Sequence, residues 1–262
     1  MYFEVDGQRV FAAGRVLENA TVPPVVLLHG AAMDHSVWVY HTRYFMHVGR
    51  PVVAVDLPAH GRSDGAPLTT IADMAAWVLR CLDALGLAAV ALAGHSMGAL
   101  AALEAAGLAP ARVMRLALLG GAFPMAVSDL LLDAAKADAP AARDMMMIWG
   151  HAATAQLGAN PVAGIHIVNA SMRLLEAARA GVLYTDLKAC NDYTQGAAAA
   201  AAVRARTTLI CGLEDRMTPV AAARQLAAQI AQATVTTIAG AGHSMMSEQP
   251  EQTHRQLVAA LA

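Results

Sequence analysis

Residues 91–103 read ALAGHSMGALAAL, which places a serine between two glycines, after an apolar run and before a helix-forming segment. The pattern Gly-x-Ser-x-Gly at 94–98 is typical of a sharp turn from a buried strand into a helix. Glycines two residues to either side of Ser96 remove side chains that would collide in so tight a turn. We therefore expect Ser96 to project into the crevice above the carboxyl ends of the strands, where open α/β folds bind ligands.

Short apolar segments rich in Val, Leu and Thr surround this turn along the chain and predict buried strands. They are PPVVLLHG (23–30), RPVVAVDLP (50–58), AAVALAGHS (88–96), VMRLALLGG (113–121), RTTLICGLED (206–215) and ATVTTIAGAGH (233–243). Helical patterns lie between most of them, which predicts an α/β fold with a mostly parallel sheet. The start of the chain, YFEVDGQRVFAAGRV (2–16), predicts an antiparallel hairpin that adds two edge strands.

One connection is too long for a simple crossover, because it runs from residue 123 to about residue 204. It contains helix signals in SDLLLDAAKA (128–137), after Pro140, and in NASMRLLEAARAG (169–181), where Asn169 is the expected cap and Gly181 the expected end. The alanine run at 197–202 predicts a further helix. We therefore expect a helical cap at 123–203, called the inserted segment below, on a core formed by 1–122 and 204–262.

The charge pattern favours a small-molecule partner. The formal net charge is -2 and no long run of one sign occurs, which argues against nucleic acid and anionic lipid. No apolar run approaches the roughly 18 residues of a membrane-spanning helix, so no membrane partner is expected. The first residues, MYFEVDGQRVF, lack the features of a signal peptide, and we expect a cytoplasmic location. The oligomeric state is left open.

The end of the chain supplies the groups that a serine nucleophile needs, a base and an orienting acid. Asp215 follows one predicted strand in CGLEDRMTP, and His243 follows the next in GAGHSMMSEQPE. The strand ending in LALLGG carries no acid, so the third catalytic member is not expected there. We choose Asp215 over its neighbour Glu214, which gives the chain order Ser96, Asp215, His243.

The segment VVLLHGAAMDHSVW (25–38) places small residues directly after a strand end, where main-chain N–H groups can approach a substrate oxygen. The amides of Ala31 and Met97 are the expected donors of an oxyanion hole.

For substrate binding we select Ala32, Met146 and Trp149, although packing in the core is the competing interpretation of the two larger residues. His29 and His95 flank the serine turn, but no pattern supplies three converging ligands, so no metal is expected.

The motifs together resemble the α/β-hydrolase superfamily, in its capped serine hydrolase, carboxylesterase-like branch. They are HGAA (29–32), DLPAHGRSDG (56–65), GHSMG (94–98), GLED (212–215) and GHSMMSEQPE (242–251). The resemblance implies a mostly parallel eight-stranded sheet flanked by helices, with a helical cap inserted after strand 6. It also implies that Asp56, His60 and Ser63 brace the site and take no part in the chemistry.

The resemblance implies a serine hydrolase that cleaves small carboxylic esters, or thioesters or lactones, through an acyl-enzyme and without a cofactor. Carbon–carbon bond hydrolysis is one alternative, although those enzymes usually carry asparagine and tryptophan where this chain has His95 and Ser244. A ligand-binding protein of the same fold with little turnover is the other alternative.

Overall fold

The computed structural model describes residues 1–16, 22–159, 161 and 163–262. Its strands coincide with the predicted apolar segments, because runs of Val, Leu and Ala are buried on both faces of a covered sheet. The strands are β1 (Tyr2–Val5), β2 (Gln8–Arg15), β3 (Val25–Leu28), β4 (Val52–Val55), β5 (Val90–His95), β6 (Val113–Leu119), β7 (Arg206–Gly212) and β8 (Ala233–Ile238).

The helices lie in the connections between the strands and after the last strand, and a short 3-10 helix at His35–Trp38 precedes the first of them. Outside the inserted segment they are α1 (Val39–His47), α2 (Ile71–Ala84), α3 (Met97–Leu108), α10 (Val220–Ala227), α11 (Met245–Glu248) and α12 (Pro250–Leu261). Within the inserted segment they are α4 (Asp129–Lys136), α5 (Pro140–Gly150), α6 (Ala153–Gln156), α7 (Ile167–Ala177), α8 (Val182–Asp192) and α9 (Gly196–Ala202).

The eight strands form one sheet in the order β1-β2-β4-β3-β5-β6-β7-β8. Pairing is antiparallel in β1–β2 and β2–β4 and parallel in every other pair. This confirms the predicted mostly parallel eight-stranded sheet. The prediction of two edge strands in the hairpin is wrong for β2, because β2 pairs with β4 and leaves only β1 at that edge. β8 forms the opposite edge.

Two hydrophobic layers cover the sheet, one on each face. In β3, Val26 and Leu28 pack into the layer that contains α2 and α3, whereas Val25 and Leu27 pack into the layer that contains α1 and α12. This alternation follows from the period of two along a strand. α3 is buried from residue 97 to residue 106 because it packs between the sheet, α2 and α9. Its small residues, mostly alanine and glycine, permit that close approach.

The helix boundaries differ from the expected ones at several points. α7 is capped by His166, whose Nδ1 accepts the N–H of Asn169 at 3.1 Å, so Asn169 lies inside the helix. The same helix ends at Ala177, before Gly181, which instead precedes α8 in a left-handed conformation. The helix after Pro140 is interrupted at His151, whose extended backbone separates α5 from α6.

A search of the described residues finds no helix with both the length and the apolar character required to cross a membrane.

α1 and α12 meet at a pair of histidines. The rings of His41 and His254 are stacked with an interplanar angle of 12°, and their Nδ1 atoms lie 3.3 Å apart. One shared proton satisfies this contact, and a second would place two donors against each other. Burial, together with the charge that His254 would carry, lowers the pKa of His41 from 6.5 to about 3. The pair is therefore stable in its neutral form.

We expect the free energy of unfolding to decrease as the pH falls below about 6.5. Between pH 6.5 and 3 an unfolded His41 binds a proton that the folded protein excludes. The stabilisation is thus complete above pH 6.5 and is lost progressively below it. One such histidine lowers the free energy of unfolding by about 2 kcal/mol between pH 7 and pH 5. Denaturant titrations at pH 7 and pH 5 should show that the free energy of unfolding depends less on pH in His41→Gln than in the wild type.

His47→Gln is the matched control, because His47 lies on the same helix and is exposed. It should keep the wild-type pH dependence. Identical pH dependence in His41→Gln and His47→Gln would contradict the assignment.

Candidate active site

Ser96 occupies the turn between β5 and α3, with φ 54° and ψ -117°. This left-handed backbone is unfavourable for a residue with a side chain, and the main-chain bond from Ser96 N to Leu119 O at 2.9 Å helps to hold it. A Cβ atom at Gly94 would lie 2.0 Å from the Gly98 oxygen. A Cβ atom at Gly98 would lie 2.4 Å from the His29 oxygen. At both positions any residue other than glycine would therefore clash with the main chain.

Asp215 and His243 are brought together by the loops that follow β7 and β8. Their Oδ2 and Nδ1 atoms lie 2.8 Å apart, and both side chains are buried. Thr218 donates its hydroxyl to the same Oδ2 at 2.8 Å, and the N–H groups of Met217 and Thr218 donate to Oδ1. Burial raises the pKa of Asp215, but His243 and the bonds from Thr218 outweigh it and hold the pKa below its usual value.

Ser96 and His243 line the same cavity, whose volume is about 220 Å³. His243 Nε2 has no hydrogen-bond partner within the described part of the chain. Since Nδ1 is engaged by Asp215, this second nitrogen is the one available for proton exchange. The structure thus places all three predicted residues at one end of the sheet, with the serine and the imidazole open to a common cavity.

Two other histidines near Ser96, His95 and His29, are held neutral. His95 Nε2 donates to the His243 carbonyl oxygen at 2.9 Å, and burial lowers the pKa of His95 to about 3. His29 Nδ1 donates to the Gly30 oxygen at 2.8 Å, and its Nε2 accepts the N–H of Leu57 at 3.1 Å. Burial lowers the pKa of His29 to about 3 as well.

The remaining predicted residues divide between the cavity and its surroundings. Ala31, Met146 and Trp149 line the cavity. Ala32 lies outside this lining, because its N–H is bound by Asp186 Oδ2 at 2.8 Å and its backbone has φ 53°. The Met97 side chain is fully buried below the site, so only its main chain can serve a substrate.

Sequence reasoning missed several lining residues. Most are apolar and belong to the inserted segment: Met125, Ala126, Val127, Leu131, Leu187 and Cys190. Their positions follow from the packing of helices on the sheet, for which the sequence gives no local signal. Thr218 did have a signal, the Asp-x-x-Thr spacing after β7, but that spacing suggests a helix cap equally well. Arg216 is exposed and is the only residue in the described lining with a formal charge.

Glu248 fastens the inserted segment to the loop that carries His243. It is buried, and its Oε1 and Oε2 atoms accept the N–H groups of Gly242 at 3.0 Å and Ala152 at 2.8 Å. The N–H of Ser244 donates to the Gly150 oxygen at 3.0 Å in the same place. Burial raises the pKa of Glu248 above its usual value, although the two N–H bonds oppose this.

Among the described residues, one group of side chains brings three potential metal ligands within 4.8 Å: Asp34, His35 and Asp56. Asp56 accepts the N–H groups of His35 and Arg62 and contacts His35 Nδ1 at 2.8 Å. Asp34 accepts the N–H of Ser36. These bonds engage the oxygens and shape the loop, so we assign no metal to them.

A sequence model of the alpha/beta hydrolase family matches residues 25–256. The pimeloyl-[acyl-carrier protein] methyl ester esterase of Aromatoleum aromaticum is 30% identical over 248 residues, which cover 87% of this chain and 94% of the relative. The (E)-2-((N-methylformamido)methylene)succinate hydrolase of Acinetobacter baylyi is 35% identical over 107 residues, and the match spans only 40% of each chain.

Among solved structures, the enol-lactonase from Burkholderia xenovorans superposes with a TM-score of 0.86 and covers 100% of this chain and 99% of its own. At 20% identity this similarity establishes the fold alone.

We expect Glu248→Gln to lower the free energy of unfolding by about 1 to 3 kcal/mol, because its amide nitrogen must face one of the two buried N–H groups. Thermal and denaturant unfolding at pH 7 measure this loss. Glu251→Gln is the control, since Glu251 is exposed and pairs with Arg255 on the same helix. Its effect should stay within about 0.5 kcal/mol. Equal effects in both variants would show that Glu248 does not fasten the loop.

Proposed function

Because the chain belongs to the alpha/beta hydrolase family, we propose that it is a serine hydrolase that cleaves small carboxylic esters, thioesters or lactones. The observation that carries the proposal is the shared cavity of Ser96 and His243, with Asp215 bonded to the far side of the imidazole at 2.8 Å. The esterase relative that spans 87% of this chain supports the same reaction class.

In the proposed reaction the Ser96 oxygen attacks the substrate carbonyl carbon while His243 Nε2 takes the hydroxyl proton. His243 Nδ1 donates its proton to Asp215, so Nε2 keeps its lone pair and can act as the base. The imidazolium that forms is stabilised by the Asp215 carboxylate and then protonates the leaving group. Water, activated by the same imidazole, releases the acyl group from Ser96 in the second half of the reaction. Every step uses protein groups and water.

The amides of Ala31 and Met97 would hold the oxyanion of the tetrahedral intermediate. Met97 is the first residue of α3, and N–H groups in the first turn of a helix have no intrahelical acceptor. The positive end of the α3 dipole favours negative charge at the same point. Ala31 lines the cavity beside Ser96, which supports its amide as the second donor.

We propose that the inserted segment acts as a cap at 123–203 over a core of 1–122 and 204–262. Helices from this segment provide Leu131, Met146, Trp149, Leu187 and Cys190 to the cavity wall. A wall built this way bounds the space beside Ser96, as expected for a site that accepts small substrates. Met146 and Trp149 would therefore contact the substrate, whereas Ala32 would act through its neighbour Ala31.

We expect Asp215→Asn to lower kcat for p-nitrophenyl acetate by orders of magnitude, because the amide favours the wrong tautomer of the histidine. Glu214→Gln removes a charge at the adjacent exposed position and should leave kcat nearly unchanged. Ser96→Ala should abolish turnover with the fold intact, and a phosphonate should label Ser96 in the wild type by mass spectrometry.

A larger loss of kcat in Glu214→Gln than in Asp215→Asn would show that Asp215 is not the catalytic acid of the triad. Cleavage of a vinylogous diketone without ester turnover would favour the carbon–carbon bond hydrolase, and tight binding of esters without turnover would favour a binding protein.

We expect acyl chains of about two to six carbons to be cleaved fastest, because an added methylene gains at most about 0.8 kcal/mol while space remains and is opposed by strain afterwards. Trp149→Ala enlarges the wall and should shift the optimum toward longer chains in a series of p-nitrophenyl esters. Ile148→Ala on the same helix changes an exposed residue and should not shift it. A wild-type optimum at twelve or more carbons would contradict the bounded cavity.

A further inference from the structure

The carboxylate of Asp186 reaches from α8 of the inserted segment to the loop after β3. Its Oδ2 atom accepts the N–H of Ala32 at 2.8 Å and contacts His60 Nε2 at 2.8 Å. Asp186 is fully buried, and His60 is nearly so. The residue that follows Ala31 is thus bound by a side chain that lies 154 positions away in the sequence.

The contacts of His60 place an oxygen beside both ring nitrogens. Nδ1 lies 2.9 Å from the Pro58 carbonyl oxygen, and Nε2 lies 2.8 Å from the Asp186 carboxylate. The Pro58 carbonyl and an ionised carboxylate are acceptors only, so beside them a neutral ring would leave one lone pair facing an oxygen. Burial disfavours the charged ring, but the hydrogen bond and charge of Asp186 outweigh it and raise the pKa of His60. The geometry thus favours a charged His60 ring beside the Asp186 side chain.

Fold stability alone does not account for this pair. Its charges lie away from water, and Asp186 Oδ1 has no hydrogen-bond partner among the described residues. Buried ion pairs are often no more stabilising than apolar residues of the same volume, and an unpaired buried oxygen adds a further cost. The feature that the pair controls is the main chain at Ala32, which is held at φ 53°.

We infer that Asp186 and His60 are positioning residues for the oxyanion hole, through which the inserted segment fixes the loop that presents the Ala31 amide. The inference rests on the proposed function. Asp186 holds the N–H of Ala32, and this fixes the orientation of the preceding peptide units. An oxyanion donor must lie within a few tenths of an ångström of its position in the transition state to be effective. Loosening the constraint therefore reduces the stabilisation of the transition state more than that of the bound substrate.

The test compares Asp186→Asn with Asp192→Asn. The first keeps the shape but replaces the charge that strengthens the contacts of Oδ2 with Ala32 and His60 by a weaker neutral acceptor, and this loosens the constraint. The second removes an exposed charge from the same helix, where Asp192 pairs with Lys188. We expect Asp186→Asn to lower kcat for p-nitrophenyl acetate by about 10- to 100-fold, up to the loss seen when a donor is removed. KM should change by less than about threefold, since ground-state binding is retained. Asp192→Asn should remain within about twofold of wild type on both parameters.

A second readout reports on the oxyanion itself. A trifluoromethyl ketone forms a tetrahedral adduct with Ser96, and its affinity should fall in parallel with kcat in Asp186→Asn. A folded Asp186→Asn protein with wild-type kcat, or one with raised KM and unchanged kcat, would overturn the inference. In that event hydrolysis by the wild type and labelling of Ser96 would leave the proposed function standing. A wild type that neither hydrolyses esters nor labels at Ser96 would instead remove the proposed function.

One measurement does not depend on any variant folding. Nitrogen-15 NMR of the wild-type protein at pH 7 should show both nitrogens of His60 protonated. A neutral His60 ring at that pH would overturn the inference.

Discussion

The turn at Ser96 is the constraint on which the site depends. A serine at φ 54° between a buried strand and a buried helix can be held only where the backbone on both sides is close and firmly bonded. β5 supplies this position because it lies inside the sheet, between β3 and β6. The ends of those two neighbours then fall beside the serine. One presents Ala31, and the other presents Gly120, where a Cβ atom would lie 2.8 Å from the His243 ring.

Buried carboxylates connect the inserted segment to the loops that surround this turn. Glu248 joins the His243 loop to Ala152, and Asp186 joins α8 to Ala32. Glu248 bonds two main-chain N–H groups that lie far apart in the sequence, and Asp186 bonds one that lies 154 positions away, so each fixes a loop by direction as well as by contact. Hydrophobic packing alone is not directional and would allow these loops to shift. The cavity is thus shaped by apolar helices, while polar bonds set the position of the main chain around Ser96.

The sequence was sufficient where one segment decides the outcome alone. Apolar runs predicted the strands. Ser96, Asp215 and His243 each follow such a run, and the carboxyl ends of parallel strands meet at one end of the sheet. It was insufficient where the partner lies in another segment. The cap of α7 depends on the His166 ring, and the position of Ala32 depends on Asp186. A linear pattern carries no signal for such contacts, because either partner alone is compatible with several environments.

Hydrogen-bond partners give the histidines around Ser96 different states within a small region. His29 donates from one nitrogen and accepts at the other, which requires the neutral ring. His60 faces an oxygen at both nitrogens, which favours the charged ring. His243 faces an acid on one side only, and its second nitrogen has no described partner. At His29 and His60 a change of protonation would break one of these bonds. Of the three rings, His243 is therefore the one whose second nitrogen can bond a molecule in the cavity that it shares with Ser96.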